Sequence, residues 1–244
     1  MNIIILTEKD ITKKNVYKIN GERFLHISNI LKLKKDDLIE IGLLNGPMGI
    51  AKIIGISNTE ISLKIKSLNS LKKTSLQVDV ICALPRPQTL KKVLNTCSTM
   101  GVSNLYLIRS EKVEKSFFHS PLLEENNYSK YLIEGLSQGK RTNMPKVAIY
   151  KRFREFFESH FNEVGKNSLC LLAHPNTDDY LNRFSLKNQK KIILAIGPEG
   201  GWNDFEIEFM EEREFKKIKL SESILRVENA VTASLSQVEL QTQI

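Results

Sequence analysis

From Val78 onward, apolar segments of strand length alternate with segments whose apolar residues recur at helical spacing. Residues 78–84 are almost continuously apolar, which is typical of a strand that is buried on both faces. In residues 88–100 the apolar side chains fall three or four positions apart, as on one face of a helix. Because strands that alternate with helices form mostly parallel sheets with helices on both faces, this rhythm predicts an α/β domain over residues 76–244.

The remaining elements of this domain follow the same alternation. Further strands are predicted at Asn104–Ile108, 147–150, Leu169–Ala173, Lys191–Ile196 and 216–220. Helices are predicted at about 121–138, 151–161, 204–214 and 227–241.

The first 70 residues have a different pattern, in which short β-rich segments are separated by turn residues such as Asn20-Gly21 and Asn45-Gly46. The predicted strands are 3–6, 23–27, 38–41, 49–55 and 61–65, with one helical turn at 28–33. This pattern predicts a small closed or nearly closed β-barrel over residues 1–70. The polar residues 69–75 are predicted to link it to the α/β domain.

Most of the net charge of +8 lies in the N-terminal third of the chain, because residues 1–75 carry a net charge of +6. This third is therefore the candidate surface for a polyanion such as RNA. A solvated, lysine-rich surface without a partner would have the same composition.

The chain contains no run of eighteen apolar residues, and the apolar residues 3–6 lack the basic flank and the cleavage site of a signal peptide. Its three cysteines, Cys82, Cys97 and Cys170, are far apart in apolar surroundings and have no metal-ligand spacing. We therefore expect a cytoplasmic protein with buried, reduced thiols that binds neither a membrane nor a metal ion.

A glycine-rich loop, Ile-Gly-Pro-Glu-Gly-Gly-Trp at residues 196–202, follows a predicted strand and precedes a predicted helix. A loop with so little side-chain bulk lets backbone groups approach a flat ligand closely, at the strand ends where α/β proteins bind ligands. The loop lacks the spacing of dinucleotide-binding and P-loop motifs, which disfavours a nucleotide-dependent dehydrogenase or hydrolase. A plain tight turn would have the same composition.

A second polar segment, residues 220–230, joins the last predicted strand to the last helix and places Arg226, Glu228 and Asn229 in an otherwise apolar stretch. By itself this segment also fits a helix N-terminus with a solvated arginine–glutamate pair.

Together, the two segments resemble the signature of the RsmE family, the ribosomal RNA small subunit methyltransferases E of the SPOUT superfamily. The resemblance continues along most of the chain through five further groups of residues: His26 with 30–32 and Asp37, 83–86, 100–102, Arg109-Ser110, and Gln138 with Arg141 and Pro145. The chain departs from the family pattern at Ser221, Ser223 and Asn229, where the family has Gly, Arg and Thr. It also lacks a Lys and a Glu of the family within residues 96–101.

This resemblance implies an N-terminal PUA-like β-barrel and a C-terminal SPOUT domain, which is an α/β domain with a mostly parallel sheet and a deep trefoil knot. It implies a homodimer that packs through the knot region. It also implies S-adenosyl-L-methionine as the cofactor, bound by three loops with the residues Leu172, Ala173, His174, Ile196, Gly197, Gly200, Gly201, Leu220, Ser221, Ile224 and Leu225. For His174, a role as a turn residue before Pro175 is an equal alternative.

The implied reaction is methylation of N3 of a specific uridine in 16S rRNA, in the decoding-centre region of the small ribosomal subunit. N3 carries a proton, so a base or an anion-stabilising cation is needed. Arg226 is the candidate for stabilising charge on the uracil oxygens, and Glu228 or Glu199 for accepting the proton or orienting Arg226. The RNA-binding candidates are Arg23, Lys32, Lys34, Lys35 and Arg141.

Two alternatives to this function stay open. The first is a non-catalytic RNA-binding relative that has lost activity through the changes at Ser221, Ser223 and Asn229. The second is a SPOUT methyltransferase that acts on another RNA.

Overall fold

A computed structural model describes residues 2–69 and 76–242, which divide into two compact units. Among these residues, the first unit holds 2–69 and 133–144, and the second holds 76–132 and 145–242. The predicted linker lies outside the described residues from position 70 to position 75.

The first unit is built on a six-stranded sheet in the order β1-β4-β5-β6-β3-β2. Strands β1 and β4 are parallel, and the other neighbours are antiparallel. The strands are β1 (Ile4–Leu6), β2 (Ile11–Lys13), β3 (Val16–Asn20), β4 (Leu38–Leu43), β5 (Met48–Ile56) and β6 (Glu60–Asn69). Buried and more exposed positions alternate along β3 and in the first half of β5, so one face of the sheet packs on an isoleucine- and leucine-rich core.

The predicted strand at 23–27 is wrong, because this segment is helical. Helix α1 (Gly21–Leu25) starts at Gly21, which has a φ of +59°, and continues as a π-helix over His26–Leu31. Two contacts favour the helix: Ile27 is fully buried, and the Arg23 guanidinium bonds both carboxylate oxygens of Asp10. The turn signal at Asn20-Gly21 therefore opens a helix instead of a hairpin. The helical turn predicted at 28–33 corresponds to the end of this segment.

The second unit confirms the predicted α/β fold. Its sheet has the order β12-β10-β11-β7-β8-β9, and every neighbouring pair is parallel. Its strands are β7 (Gln77–Ala83), β8 (Asn104–Ile108), β9 (Lys146–Tyr150), β10 (Leu169–Ala173), β11 (Lys191–Ile196) and β12 (Lys216–Ile218). Its longer helices are α2 (Pro87–Thr99) and the first part of α3 (Glu125–Gly139), whose residues from 133 onward group with the first unit. A helical segment follows as α4 (Phe153–Glu155), a π-helix (Phe156–His160) and α5 (Phe161–Val164). The last two helices are α6 (Asp204–Glu211) and α7 (Val227–Thr242).

Residues 133–144 group with the first unit, although the sequence pattern places them in the α/β domain. Hydrogen bonds explain this grouping. The Ser137 hydroxyl donates to the carbonyl oxygen of Ile3 at 2.6 Å, and the backbone N–H of Ile3 donates to the carbonyl oxygen of Ser137 at 3.2 Å. Arg141 therefore belongs to the first unit.

The three cysteines are buried, as predicted. Burial raises the pKa of Cys97 to about 12, so its thiol stays protonated at neutral pH. Within the two described ranges, none of the helices has the length and apolarity that a membrane span requires, and no cluster of three or more potential metal-ligand side chains occurs.

Gly49 offers a test of the first unit. A Cβ atom at this position would lie 2.0 Å from the carbonyl oxygen of Ser67 on the neighbouring strand, and backbone cannot move aside cheaply. We expect Gly49→Ala to lower the free energy of unfolding by about 1–3 kcal/mol, as overpacking does, measured by urea denaturation. Gly55→Ala on the same strand is the matched control, because its Cβ would meet only the Ser62 side chain, at 3.9 Å. Equal stability of the two variants would contradict the packing described here.

Candidate active site

A cavity of about 690 Å³ lies at the carboxyl ends of β7, β10, β11 and β12. The chain runs from β7 outward to β9 and then returns to place β10 and β11 on the other side of β7, so the strand order reverses here. In α/β proteins such a reversal opens a crevice where ligands bind. The volume is typical of a small-molecule site.

The structure brings nearly all of the predicted cofactor residues together in the wall of this cavity. They come from the ends of β10 and β11 and from the loop after β12: Ala173, His174, Ile196, Gly197, Gly200, Gly201, Leu220, Ser221, Ile224 and Leu225. Leu172 does not line the cavity, because its side chain is fully buried within β10. The three predicted catalytic residues, Glu199, Arg226 and Glu228, also line it.

The glycine-rich loop is a tight turn that packs against its own tryptophan. Gly201 has a φ of +70°, which favours glycine, and its N–H donates to the carbonyl oxygen of Pro198 at 2.8 Å. A Cβ on Gly197 would lie 3.1 Å from the Trp202 indole nitrogen, so glycine leaves room for the ring. The buried Nε1–H of Trp202 has no partner among the described residues. A buried donor without a partner in a cavity wall is a feature that a ligand could satisfy.

A buried carboxylate anchors this loop. The Glu206 side chain is only 2% exposed, and it accepts bonds from the Ser110 hydroxyl at 3.0 Å, the Glu111 N–H at 2.8 Å and the Asn203 N–H at 3.0 Å. Asn203 caps α6 in return. The carboxylate thus ties the loop after β8 to the loop after β11. The sequence shows acidic residues in the first turn of the helix, but it does not indicate that Glu206 bonds to the loop after β8.

Two cationic residues pair with the predicted catalytic carboxylates of Glu199 and Glu228. Arg86 is the N-cap of α2, and Lys92 lies within this helix. Arg86 Nε lies 3.5 Å from Glu199 Oε1, and Lys92 Nζ lies 3.1 Å from Glu228 Oε1. Arg86 belongs to a segment that resembles the family, whereas nothing in the sequence singled out Lys92. Its place in the site follows from the packing of α2 beside α7.

Glu228 is held as a carboxylate. Burial alone would raise the pKa of this side chain, but hydrogen bonds from its own backbone N–H and from Lys92, together with the charges of Lys92 and Arg226, outweigh burial and lower the pKa below its usual value. Its side chain is 13% exposed, whereas Arg226 is exposed at the mouth of the cavity.

His174 stays neutral near pH 7, because burial and then the charge of Lys217 lower its pKa. Its Nδ1 accepts a bond from the Asn176 N–H at 3.1 Å, as in a turn, yet the residue also lines the cavity. The loop after β12 is held by Gln237, whose Nε2 donates to the carbonyl oxygen of Leu220 at 2.9 Å. In this loop Ile224 is 88% exposed.

The five predicted RNA-binding residues all lie in the first unit. Lys32, Lys34 and Lys35 are exposed, and Arg141 is partly buried. Arg23 is instead bound to Asp10 and to the carbonyl oxygen of Ile5, at 2.6–2.9 Å. Three hydrogen bonds within its own unit favour a structural role for Arg23 over contact with RNA.

A fully parallel sheet with a glycine-lined cavity at its reversal point defines the second unit as a ligand-binding α/β domain. The family of RNA methyltransferase domains matches residues 72–239, and the chain belongs to this family. The ribosomal RNA small subunit methyltransferase E of Treponema pallidum is 26% identical over 241 residues, covering 98% of this chain and 90% of the relative. Ribosomal RNA small subunit methyltransferase E 1 of Borreliella burgdorferi is 26% identical over 238 residues, covering 96% of this chain and 95% of the relative.

A solved structure extends this likeness to the fold. The crystal structure of a ribosomal RNA small subunit methyltransferase E from Neisseria gonorrhoeae bound to S-adenosyl methionine has a TM-score of 0.78 and 17% identity, covering 98% of this chain and 97% of that chain. The resemblance to the RsmE family that the sequence motifs indicate is confirmed.

Removing the anchor of the glycine-rich loop should destabilise the site. In Glu206→Ala, three donors lose a buried acceptor, so we expect the free energy of unfolding to fall by about 3 kcal/mol. We also expect faster amide hydrogen exchange in residues 197–203, measured by mass spectrometry. Glu208→Ala, an exposed position on the same helix, is the control and should change neither quantity. Unchanged exchange in Glu206→Ala would show that the carboxylate does not hold the loop.

Proposed function

We propose that this chain transfers a methyl group from S-adenosyl-L-methionine to N3 of a specific uridine in 16S rRNA, in the decoding-centre region of the small ribosomal subunit. The observation that carries the proposal is the cavity, in which the three loops meet Arg226, Glu228 and Glu199. Membership in the RNA methyltransferase family supports the reaction class. The reaction would take place in the cytoplasm, on the small subunit or its rRNA.

The residues of the cavity fit S-adenosyl-L-methionine, which supplies a methyl group activated on a sulfonium. Glycines at 197, 200 and 201 leave backbone groups within reach of a flat adenine, and Ile196 and Leu225 offer apolar contact. The unpartnered Nε1–H of Trp202 is a donor for a polar group of the ligand. Glu199, which pairs with Arg86, also lines the cavity.

The roles of the polar residues follow from the chemistry of N3. Before or during attack, the N3 proton must leave, and negative charge then spreads to the uracil oxygens. Arg226, an exposed residue of the cavity wall, would stabilise this charge. Glu228, ionised and largely buried, would accept the proton or orient Arg226.

The first unit would position the RNA through phosphates, as the PUA-like barrel of the family would. Its mixed six-stranded sheet and the exposed Lys32, Lys34 and Lys35 support this role. For the second unit, we propose the deep trefoil knot of SPOUT domains and a homodimer that packs through the knot region. Both are what the resemblance to the SPOUT superfamily implies, and the fully parallel sheet of the second unit is the α/β fold that such a domain requires.

The departures from the family pattern do not fill the cavity. Ser221 and Ser223 both line it, and their polar groups bond each other, with the Ser223 N–H donating to Ser221 Oγ at 3.1 Å. This geometry favours the enzyme over a non-catalytic RNA-binding relative. A different RNA target is the remaining alternative.

The direct test uses small subunits that lack the modification, labelled S-adenosyl-L-methionine and mapping of the methylated nucleotide. We expect one label at N3 of one 16S rRNA uridine. Arg226→Ala should lower kcat by roughly 100-fold or more, as loss of a charge-stabilising donor does, with cofactor affinity by calorimetry nearly unchanged. Arg226→Lys, which keeps the charge, should recover part of the loss.

Each contrary outcome points to one alternative. No calorimetric binding of the cofactor would favour the non-catalytic relative. Label in another RNA, or on another atom, would refute the proposed target. Full turnover of Arg226→Ala would refute the role of the arginine.

The RNA-binding role of the first unit predicts a salt effect. Replacing Lys32, Lys34 and Lys35 together by Ala should reduce the slope of log K against log salt by up to about 2–3, since each phosphate contact contributes about 0.7–0.9. The matched control replaces Lys9, Lys13 and Lys14, which are also exposed in the same unit. Equal slopes for both triple variants, measured by filter binding of 16S rRNA fragments, would remove the first three lysines from the interface.

A further inference from the structure

Lys92 forms a close ion pair inside the cavity. Its Nζ lies 3.1 Å from Glu228 Oε1, and both residues line the cavity wall. The lysine side chain is 63% exposed, whereas the glutamate side chain is 13% exposed. The ion pair thus joins a solvent-exposed ammonium to a carboxylate that is nearly enclosed.

Glu228 has two cations around it, because Arg226 also acts on it electrostatically. The other charged residues in the cavity wall are Arg86 and Glu199, which pair with each other. Apart from that pair, the charged residues of the cavity wall are two cations, Lys92 and Arg226, and one carboxylate, Glu228. This surplus of one positive charge suits a ligand that becomes negative during the reaction.

The charge distribution of a uracil anion matches the charged residues of the cavity. In a uracil ring, N3 lies between two carbonyl groups, and loss of the N3 proton spreads negative charge onto both oxygens. A site for this acceptor needs one proton acceptor for N3 and cationic donors for the oxygens on either side. Glu228, the Lys92 ammonium 3.1 Å from it and the Arg226 guanidinium in the same cavity wall provide these three groups.

We propose that Lys92 is a catalytic residue that stabilises the negative charge on one uracil carbonyl oxygen while Arg226 stabilises the other and Glu228 accepts the N3 proton. This inference rests on the proposed function and deepens it. The N3–H electron pair stays on nitrogen and forms the new N–C bond to the methyl group. The C–S bond of the donor breaks and its electrons return to sulfur, and the proton remains on Glu228 until it is released to water.

The test compares Lys92→Met and Lys92→Arg with Lys91→Met. Lys91 is the matched control because it lies on the same helix but stacks over Tyr131, 5.6 Å from the ring centroid, and does not line the cavity. We expect Lys92→Met to lower kcat for methyl transfer to small subunits by roughly 100-fold, with the KM for RNA and the Kd for S-adenosyl-L-methionine changed less than about threefold. Lys92→Arg should recover at least about tenfold of the loss, and Lys91→Met should behave as wild type.

A second substrate tests the chemistry directly. When 5-fluorouridine replaces uridine in the rRNA, the electron-withdrawing fluorine makes the N3 proton more acidic, so less charge stabilisation is needed. The deficit of Lys92→Met relative to wild type should then shrink by about tenfold. A lysine that only supports the fold would give the same deficit with both substrates.

The outcomes that overturn the proposal are distinct from failure of the proposed function. If Lys92→Met raises the KM for RNA and leaves kcat unchanged, the lysine binds a phosphate and the proposal is wrong. An unchanged kcat and KM, or a deficit that 5-fluorouridine does not reduce, also overturns it. If instead the wild-type protein binds the cofactor but methylates no uracil N3, the proposed function itself fails, and this inference fails with it.

Discussion

The parallel pairing of β11 with both β7 and β10 is the constraint on which the site depends. A parallel sheet brings the carboxyl ends of all its strands to one edge, so the residues after these three strands must meet. Ala173, Ile196 and Arg86 come from separate parts of the chain, yet they line one cavity for this reason. The nearly continuous apolar sequence of β11 and β7 stabilises this pairing, because both strands are buried on both faces.

The sheet determines where the loops after its strands lie, but it does not determine their conformation. The glycine-rich loop obtains its conformation from Gly201, from the Trp202 ring against Gly197 and from the buried carboxylate of Glu206. A polar side chain with so little exposure is stable only when it is hydrogen-bonded, and Glu206 accepts three hydrogen bonds. The same bonds immobilise the loop that faces the cavity, so a ligand binds to a surface that is already formed.

The sequence predicted the features that depend on local pattern and missed those that depend on distant contacts. The periodicity of apolar residues predicted the parallel sheet. The motif resemblance predicted that Gly197, Ser221 and Arg226 lie at one site, and all three line the cavity. Residues 23–27 were predicted as a strand but are helical, because the part-buried ion pair between Arg23 and Asp10 joins residues with no shared sequence pattern. Residues 133–144 group with the first unit although their periodicity continues the α/β pattern, because their hydrogen bonds to residues 2 and 3 leave no trace in periodicity.

The motif resemblance predicted the glycine-lined cavity, but it did not predict that Lys92 pairs with Glu228 there. Glycines and tight turns leave signals in the local sequence, whereas an ion pair between α2 and α7 depends only on how two helices pack. The electrostatic consequence is nevertheless large, because a carboxylate that is 13% exposed is poorly solvated and needs a partner to stay ionised. Lys92 and Arg226 meet this need before any substrate arrives. In the proposed reaction, uptake of a proton by Glu228 removes its charge, and both cations would then stabilise the negative charge that forms beside it.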